Sequence, residues 1–209
     1  MLTQEEWMGA LNARHGKERQ EKFSRAAVAV CGLGGLGSNV AIALARAGIG
    51  KLILIDFDRV DVTNLNRQQY KASQLGMNKT EALAQNLREI NPFIRLETHA
   101  VRISEENAQE LLQEADVVCE AFDVPEAKAM LVNFVLENMP EKYLVAGSGM
   151  AGFGSPNTIQ TRRITGRFYL CGDTVSDVND GIGLVCARVM VCAAHEAHTI
   201  LRLLANEIE

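Results

Sequence analysis

Short apolar runs alternate along this chain with longer segments in which apolar residues recur at helical spacing. The runs predict strands near residues 26–31, 51–56, 94–101, 115–120 and 142–147. The segments between them predict helices near residues 36–47, 78–90, 104–113 and 125–138. In the first helix Leu36, Val40 and Leu44 lie on one stripe, as expected of a helix that packs on a sheet. This alternation is typical of α/β proteins, and it predicts a Rossmann-like, doubly wound and mainly parallel sheet.

The two ends of the chain show different patterns. Residues 3–24 are polar with helical spacing, so we predict an N-terminal helical arm at residues 1–24 and one domain at 25–209. Near the other end, residues 157–163 and 167–170 predict a hairpin, and residues from Leu184 onward predict a long closing helix. A chain of 209 residues is long enough for one domain with a complete hydrophobic core.

Glycines mark the turn between the first predicted strand and the first helix. Gly32, Gly34 and Gly37 have the spacing G-x-G-x-x-G, which permits a tight turn, close approach of a ligand and close packing of helix on strand. Asp56 ends the next strand, where a carboxylate can accept hydrogen bonds from ribose hydroxyls. These residues predict a nucleotide site, for either a nicotinamide dinucleotide or ATP.

Further motifs help to distinguish between these two nucleotides. The glycine turn is followed by Asp56-Phe57-Asp58, by Asn64-Leu65-Asn66-Arg67-Gln68, by Gly76-Met77-Asn78-Lys79 and by Ala121-Phe122-Asp123. From about Gln20 to the C-terminal helix, this order resembles the ThiF/MoeB/HesA family, most closely its short ThiF-like members. These enzymes adenylate ubiquitin-like sulfur carriers, so the resemblance implies a sulfur-carrier adenylyltransferase that uses ATP and Mg²⁺.

The resemblance also implies roles for individual residues. Asp56 would hold the ribose, Asn64, Arg67 and Lys79 would contact the ATP phosphates, and Asp123 would bind Mg²⁺. The nucleotide-binding set would be completed by Gly32, Gly34, Gly35, Gly37 and Asp58, and the catalytic set would be Arg67, Lys79 and Asp123. The partner would be a carrier with a C-terminal Gly-Gly, ThiS-like and in thiamine biosynthesis, and the enzyme would be a homodimer. Arg14 is the candidate for an N-terminal arginine that reaches the active site of a partner subunit.

The chemistry of these side chains fits such a reaction. Displacing pyrophosphate brings anions together, and Arg67 offers a planar fork for phosphate oxygens while Lys79 offers a point charge. Helix N-termini at Gly35 and Lys79 would add backbone amides. Two structural alternatives stay open: Asn64 could cap a short helix, and Asp123 could cap the helix that begins near Pro125. The glycine-rich segment 147–154 is either a flexible loop or a bare surface for the carrier's tail.

Composition limits the other functions. A net charge of -5 argues against a general nucleic-acid-binding surface. Residues 26–45 carry no charge, but glycines interrupt them, so we expect no membrane span and a cytoplasmic protein. The five cysteines include no Cys-x-x-Cys pair, and we expect no zinc. Cys171 is a candidate for a covalent intermediate in a late loop, and His195-Glu196-Ala197-His198 is interpreted as a polar patch because its histidine spacing differs from H-E-x-x-H.

Two alternative functions remain at the level of sequence. An NAD(P)-dependent oxidoreductase would share the glycine motif and Asp56, but little chain remains after Asp123 for a second substrate region. A non-catalytic nucleotide-binding adaptor for a ubiquitin-like protein would not need Arg67, Lys79 and Asp123, all of which are present.

Overall fold

The computed structural model describes residues 2–179 and 181–208. The strands are β1 (Ala27–Cys31), β2 (Lys51–Ile55), β3 (Arg95–His99), β4 (Val117–Glu120), β5 (Tyr143–Gly147), β6 (Gln160–Arg163) and β7 (Phe168–Gly172). The α-helices are α1 (Gln4–His15), α2 (Lys17–Arg25), α3 (Gly35–Arg46), α4 (Lys79–Ile90), α5 (Glu105–Leu112), α6 (Pro125–Asn138) and α7 (Cys186–Ala205).

The strands form one sheet in the order β3-β2-β1-β4-β5-β7-β6. All neighbours are parallel except β6, which runs antiparallel to β7 at the edge. The predicted Rossmann-like, mainly parallel sheet, its hairpin and its closing helix are therefore confirmed. The fourth strand begins two residues later than predicted, although Asp116 still bonds Ala27: its amide donates to the Ala27 carbonyl and its side chain accepts the Ala27 amide, each at 2.8 Å.

Alternate residues of the central strands face two apolar layers. Val28 and Val30 of β1 pack in the layer that contains α3, α4 and α7, whereas Ala29 and Cys31 pack in the layer that contains α5 and α6. Both faces of β1 are fully buried, as is usual for a strand within a parallel sheet. The carboxyl ends of β1, β2, β4, β5 and β7 thus meet at one edge of the sheet, where ligands of such folds bind.

Two helices, α1 and α2, precede the first strand. Thr3 and Glu6 form a reciprocal cap at the start of α1, and Gly16, with a φ of 82°, separates α1 from α2. Leu11 and Phe23 are buried against the body of the protein. No helix within residues 2–179 and 181–208 is long and apolar enough to cross a membrane.

Candidate functional site

A pocket of about 390 Å³ opens at the carboxyl edge of the sheet. Nine of the predicted site residues line it: Gly32, Gly34, Gly35, Asp56, Asp58, Asn64, Arg67, Lys79 and Asp123. They come from segments that follow β1, β2 and β4, which are neighbours in the sheet although β4 is distant in sequence. Gly37 does not line the pocket.

The glycine turn has the two geometric demands that its spacing predicted. Gly32 has a φ of +89°, and a Cβ atom there would lie 2.8 Å from the carbonyl oxygen of Ala121. A Cβ atom on Gly37 would lie 1.8 Å from the carbonyl oxygen of Gly32, so this glycine permits α3 to pack against the turn. No side chain among the described residues caps the start of α3, which leaves its first-turn amides available to an anion.

Asp56 joins the glycine turn to the end of β2. One carboxylate oxygen, Oδ2, accepts the amide of Leu33 at 2.7 Å, and the other, Oδ1, accepts the amide of Asp58 at 2.7 Å. Asp56 is buried yet borders the pocket. Since each carboxylate oxygen can accept more than one hydrogen bond, both can still receive ribose hydroxyls.

Lys79 is held beside this acidic turn. Its backbone amide donates to the Asp58 carbonyl at 3.0 Å, and its Nζ lies 2.8 Å from Asp58 Oδ2 and 4.0 Å from Asp56 Oδ2. An antiparallel bridge between Arg59 and Asn78 fixes the segment before α4. Asn78 has a φ of -59° and a ψ of 135°, so the chain is extended just before α4 begins.

Arg67 lies against the N-terminus of α3. A Cβ atom on Gly35 would be 3.5 Å from Arg67 Cγ, an ordinary contact distance, and 3.0 Å from Val189 Cγ1, which is tight. Arg67 Nη1 donates to the Thr63 carbonyl at 2.9 Å and to Asn66 Oδ1 at 2.8 Å, while its buried Nε has no partner among the described residues. The N-cap of the short helical turn Val62–Asn64 is Asp61; Asn64 Oδ1 accepts the Asp61 amide at 3.0 Å and so completes a reciprocal cap, while Asn64 also lines the pocket.

Asp123 is exposed at the pocket and makes no hydrogen bond or ion pair within the described part of the chain. The residue that caps α6 is Val124, and within the part of the chain that the structure describes no side chain bonds the helix start. The alternative role of Asp123 as a helix cap is therefore wrong. No cluster of three His, Cys, Asp or Glu residues suited to a metal occurs within residues 2–179 and 181–208. A lone carboxylate nevertheless fits Mg²⁺, which is commonly held by one or two carboxylates together with substrate phosphates.

A buried ion pair supports the turn that carries Asp123. Glu120, which is fully buried, lies 2.7 Å from Lys128 Nζ and accepts the Phe122 amide at 2.7 Å. Lys128 Nζ also donates to the Phe122 carbonyl at 3.0 Å. Burial raises the pKa of Glu120 above its ordinary value, although the charge of Lys128 opposes that rise. Both polar groups of Phe122, the residue before Asp123, are thereby held.

Sequence reasoning missed two cations that border the pocket. Lys128 lies five residues beyond Asp123 on α6, and Arg102 follows β3 with its guanidinium 4.1 Å from the centre of the Phe57 ring. Neither belongs to a motif, and their only signal was a position shortly after a predicted strand. The glycine-rich segment noticed in the sequence does border the pocket, through residues 147–151.

Cys171 and Glu196, both in the C-terminal part of the chain, are more buried than the sequence predicted. Cys171 lies in β7 and not in a loop, it is fully buried, and burial raises the pKa of its thiol to about 12. It is therefore inert as a nucleophile in this conformation. Glu196 is not part of a polar patch: it is fully buried on α7, its oxygens have no hydrogen-bond partner among the described residues, and burial raises its pKa well above the ordinary value.

A Rossmann-like sheet with a glycine turn, an acidic strand end and four cationic side chains at one pocket defines a nucleotide-binding α/β protein. The sequence pattern of the ThiF family matches residues 9–207. The chain belongs to the ThiF family.

Individual relatives agree with that assignment. The chain is 34% identical over 203 residues to "Adenylyltransferase and sulfurtransferase UBA4" of Lodderomyces elongisporus, covering 92% of this chain and 43% of that protein. It is 38% identical over 131 residues to "Sulfur carrier protein adenylyltransferase" of Thermus thermophilus, covering 62% of this chain and 43% of that protein. The chain thus spans less than half the length of these curated relatives.

A solved structure is similar over nearly its whole length. It is E. coli tRNA N6-threonylcarbamoyladenosine dehydratase, TcdA, in complex with ATP, with a TM-score of 0.87 and 25% identity. The match covers 99% of this chain and 98% of that one.

Proposed function

We propose that this protein uses Mg-ATP to adenylate the C-terminal carboxylate of a small ubiquitin-like sulfur carrier and releases pyrophosphate. The observation that carries the proposal is the convergence of residues from separate segments, after β1, β2 and β4, on one pocket. Family membership supports it, as do one relative named as an adenylyltransferase and sulfurtransferase and another named as a sulfur carrier protein adenylyltransferase.

In the proposed reaction a carboxylate oxygen of the carrier attacks the α-phosphorus of ATP. A new oxygen–phosphorus bond forms, the bond to the bridging oxygen of the β-phosphate breaks, and pyrophosphate leaves with that electron pair. The protein supplies position and charge: Asp56 holds the ribose, the amides at the start of α3 face the phosphates, and Arg67 and Lys79 offset the negative charge. Mg²⁺ held between Asp123 and the phosphates would neutralise further charge.

The carrier would approach from the other half of the pocket. The predicted nucleotide residues follow β1 and β2, segment 147–151 lies at the end of β5, and Asp123 follows β4, which lies between β1 and β5 in the sheet. A narrow tail that ends in Gly-Gly suits a surface formed by glycine-rich backbone. We propose a ThiS-like carrier and a role in thiamine biosynthesis, on the basis of the resemblance to short ThiF-like proteins.

We further propose that the enzyme is a homodimer. Arg14 lies on α1 and does not line the pocket of its own chain, so a contact with bound ATP would require a second copy. Met190 on α7 is 46% exposed, and a second subunit could cover it.

A second candidate substrate is a modified tRNA. The whole-length similarity to the E. coli dehydratase favours it, because the curated sulfurtransferase relatives are matched over less than half their length. The same pocket would then activate a carboxylate on a nucleoside in place of one on a protein.

ATP–pyrophosphate exchange separates these functions. Purified protein is given Mg-ATP and labelled pyrophosphate with a ThiS-like carrier, with the same carrier lacking its last two glycines, or with tRNA that carries N6-threonylcarbamoyladenosine. Exchange only with the intact carrier supports the proposal, and exchange only with the tRNA replaces it with the second candidate. ATP binding without exchange would indicate an adaptor, and binding of NAD(P) in preference to ATP would indicate an oxidoreductase.

A further inference from the structure

Arg188, in the first turn of α7, is buried and makes five hydrogen bonds to a neighbouring loop and to Asp173. Its Nε donates to the Ala151 carbonyl at 3.1 Å, and its Nη1 donates to the carbonyls of Gly154 at 3.1 Å and Ser155 at 2.6 Å. Its Nη2 donates to Thr158 Oγ1 at 3.1 Å and to Asp173 Oδ2 at 2.5 Å. A guanidinium has five N–H donors, so this side chain uses its full capacity.

Asp173 connects Arg188 to a second loop, the one after β7. Its Oδ1 accepts the amides of Val175 and Ser176, each at 2.9 Å, and the hydroxyl of Ser176 at 3.1 Å. Burial acts to raise the pKa of Asp173, but hydrogen bonds from Ser176, Val175 and Arg188 outweigh it and leave the pKa below its ordinary value. The carboxylate is therefore ionised at neutral pH and stays paired with Arg188.

Backbone bonds join the two loops directly. The Asp173 amide donates to the Gly149 carbonyl at 2.8 Å, and the Thr174 amide donates to the Ser148 carbonyl at 3.1 Å. Thr174 has a φ of 63°, a left-handed conformation that is unfavourable for a β-branched residue and has to be held by its surroundings. Asp173 Oδ1 holds the two amides that follow Thr174, and Arg188 holds the other oxygen of the same carboxylate.

These loops form the side of the pocket away from the predicted nucleotide residues. Residues 147–151 and 176–178 line it after β5 and β7, whereas Gly32 and Asp56 line it after β1 and β2. Arg188 itself does not line the pocket. Its effect on any ligand must therefore pass through the two loops.

We propose that Arg188 is a positioning residue for the substrate that carries the carboxylate: it fixes the loops at 147–155 and 172–176 as one surface, along which an extended, glycine-terminated peptide tail binds. This inference rests on the proposed function. It divides the pocket into an ATP half that does not depend on Arg188 and a carrier half that does.

The test is steady-state pyrophosphate exchange with R188K, which keeps the positive charge but cannot make five hydrogen bonds in one plane. The KM for the carrier should rise at least tenfold, while the KM for ATP and the kcat at saturating carrier change less than twofold. Arg202, at the other end of α7, donates to the Glu207 carbonyl, and R202K is the matched control in which neither KM should change. T158V removes one of the five acceptors and should raise the carrier KM by a smaller factor with the fold intact.

Hydrogen exchange supplies a readout that does not depend on turnover. Amides of residues 147–155 and 172–176 should exchange faster in R188K than in the wild type, while those of α3 and β1 should not. An unchanged carrier KM, or an equal rise in the KM for ATP, would overturn the proposal. If the wild type shows no carrier-dependent exchange, the proposed function itself fails, and that outcome is distinct from a wild type that turns over but shows no KM difference in R188K.

Discussion

Replacement of Lys128 by methionine tests the buried ion pair beneath Asp123. The substitution keeps the length and the apolar part of the side chain and removes the charge 2.7 Å from the carboxylate of Glu120. Glu120 has no exposed surface, whereas the Lys128 side chain is 23% exposed. The variant therefore leaves a buried carboxylate whose remaining bond is to the amide of Phe122, at 2.7 Å.

We expect K128M to lower the free energy of unfolding by an amount at the lower end of the range measured for buried ion pairs. Removal of one partner of a buried ion pair destabilises proteins by about 3–5 kcal/mol. Because Lys128 is partly solvated and Glu120 can take up a proton, we expect about 3 kcal/mol for K128M at pH 7.5. The control K71M removes an ion pair with Glu89 whose side chains are 51% and 65% exposed, and it should cost less than about 1 kcal/mol.

The loss of stability in K128M should also depend on pH, and the protonation of Glu120 determines whether it grows or shrinks as pH rises. The pKa of Glu120 in the folded protein is raised above its ordinary value of 4.5, and loss of Lys128 raises it further. The folded state then binds a proton more tightly than the unfolded state, so stability falls as pH rises from the unfolded pKa through the folded pKa. K128M should therefore be closer to the wild type at pH 5.5 than at pH 7.5.

Urea denaturation of K128M, E120Q and the double variant measures these quantities. E120Q removes the buried charge, so K128M should cost much less in the E120Q background than in the wild type. The reasoning is refuted if K128M costs no more than K71M, if E120Q does not relieve the loss, or if the cost of K128M is larger at pH 5.5 than at pH 7.5.

Three other predictions follow from the site and its surroundings. D123A should abolish adenylation with an unchanged thermal unfolding midpoint, because Asp123 makes no bond within the described residues; magnesium-dependent turnover in this variant would remove Asp123 from the site. G37A should lose ATP binding, measured by calorimetry, since its Cβ would lie 1.8 Å from the Gly32 carbonyl oxygen, whereas G166A, with open space at the same position, should bind normally. A maleimide at pH 7 should label the half-buried Cys186 of the native protein first, and the four buried cysteines only after unfolding; rapid labelling of Cys171 in native protein would contradict its raised pKa.

Much of the fold could be predicted because its causes are local. The apolar runs of β1 and β2, the stripe of Leu36, Val40 and Leu44, and the glycines between strand and helix each depend on neighbours within a few residues. The candidate site with Asp56, Arg67, Lys79 and Asp123 came from the resemblance of the motifs and their order to the ThiF/MoeB/HesA family. No local sequence pattern predicts that β5 pairs with β7, in parallel, and not with β6.

The tertiary structure alone decided which side chains meet. Lys128 reaches Glu120, and Arg188 reaches Asp173, because strand order and helix packing bring together residues from different elements. The same packing buries Glu196 and Cys171, whose sequence context suggested a polar surface and a late loop. Hydrophobic periodicity indicates which face of a helix or strand is apolar, and glycine indicates where the backbone must turn. Neither indicates which helix or strand packs against that face, because the packing depends on contacts between residues far apart in the chain.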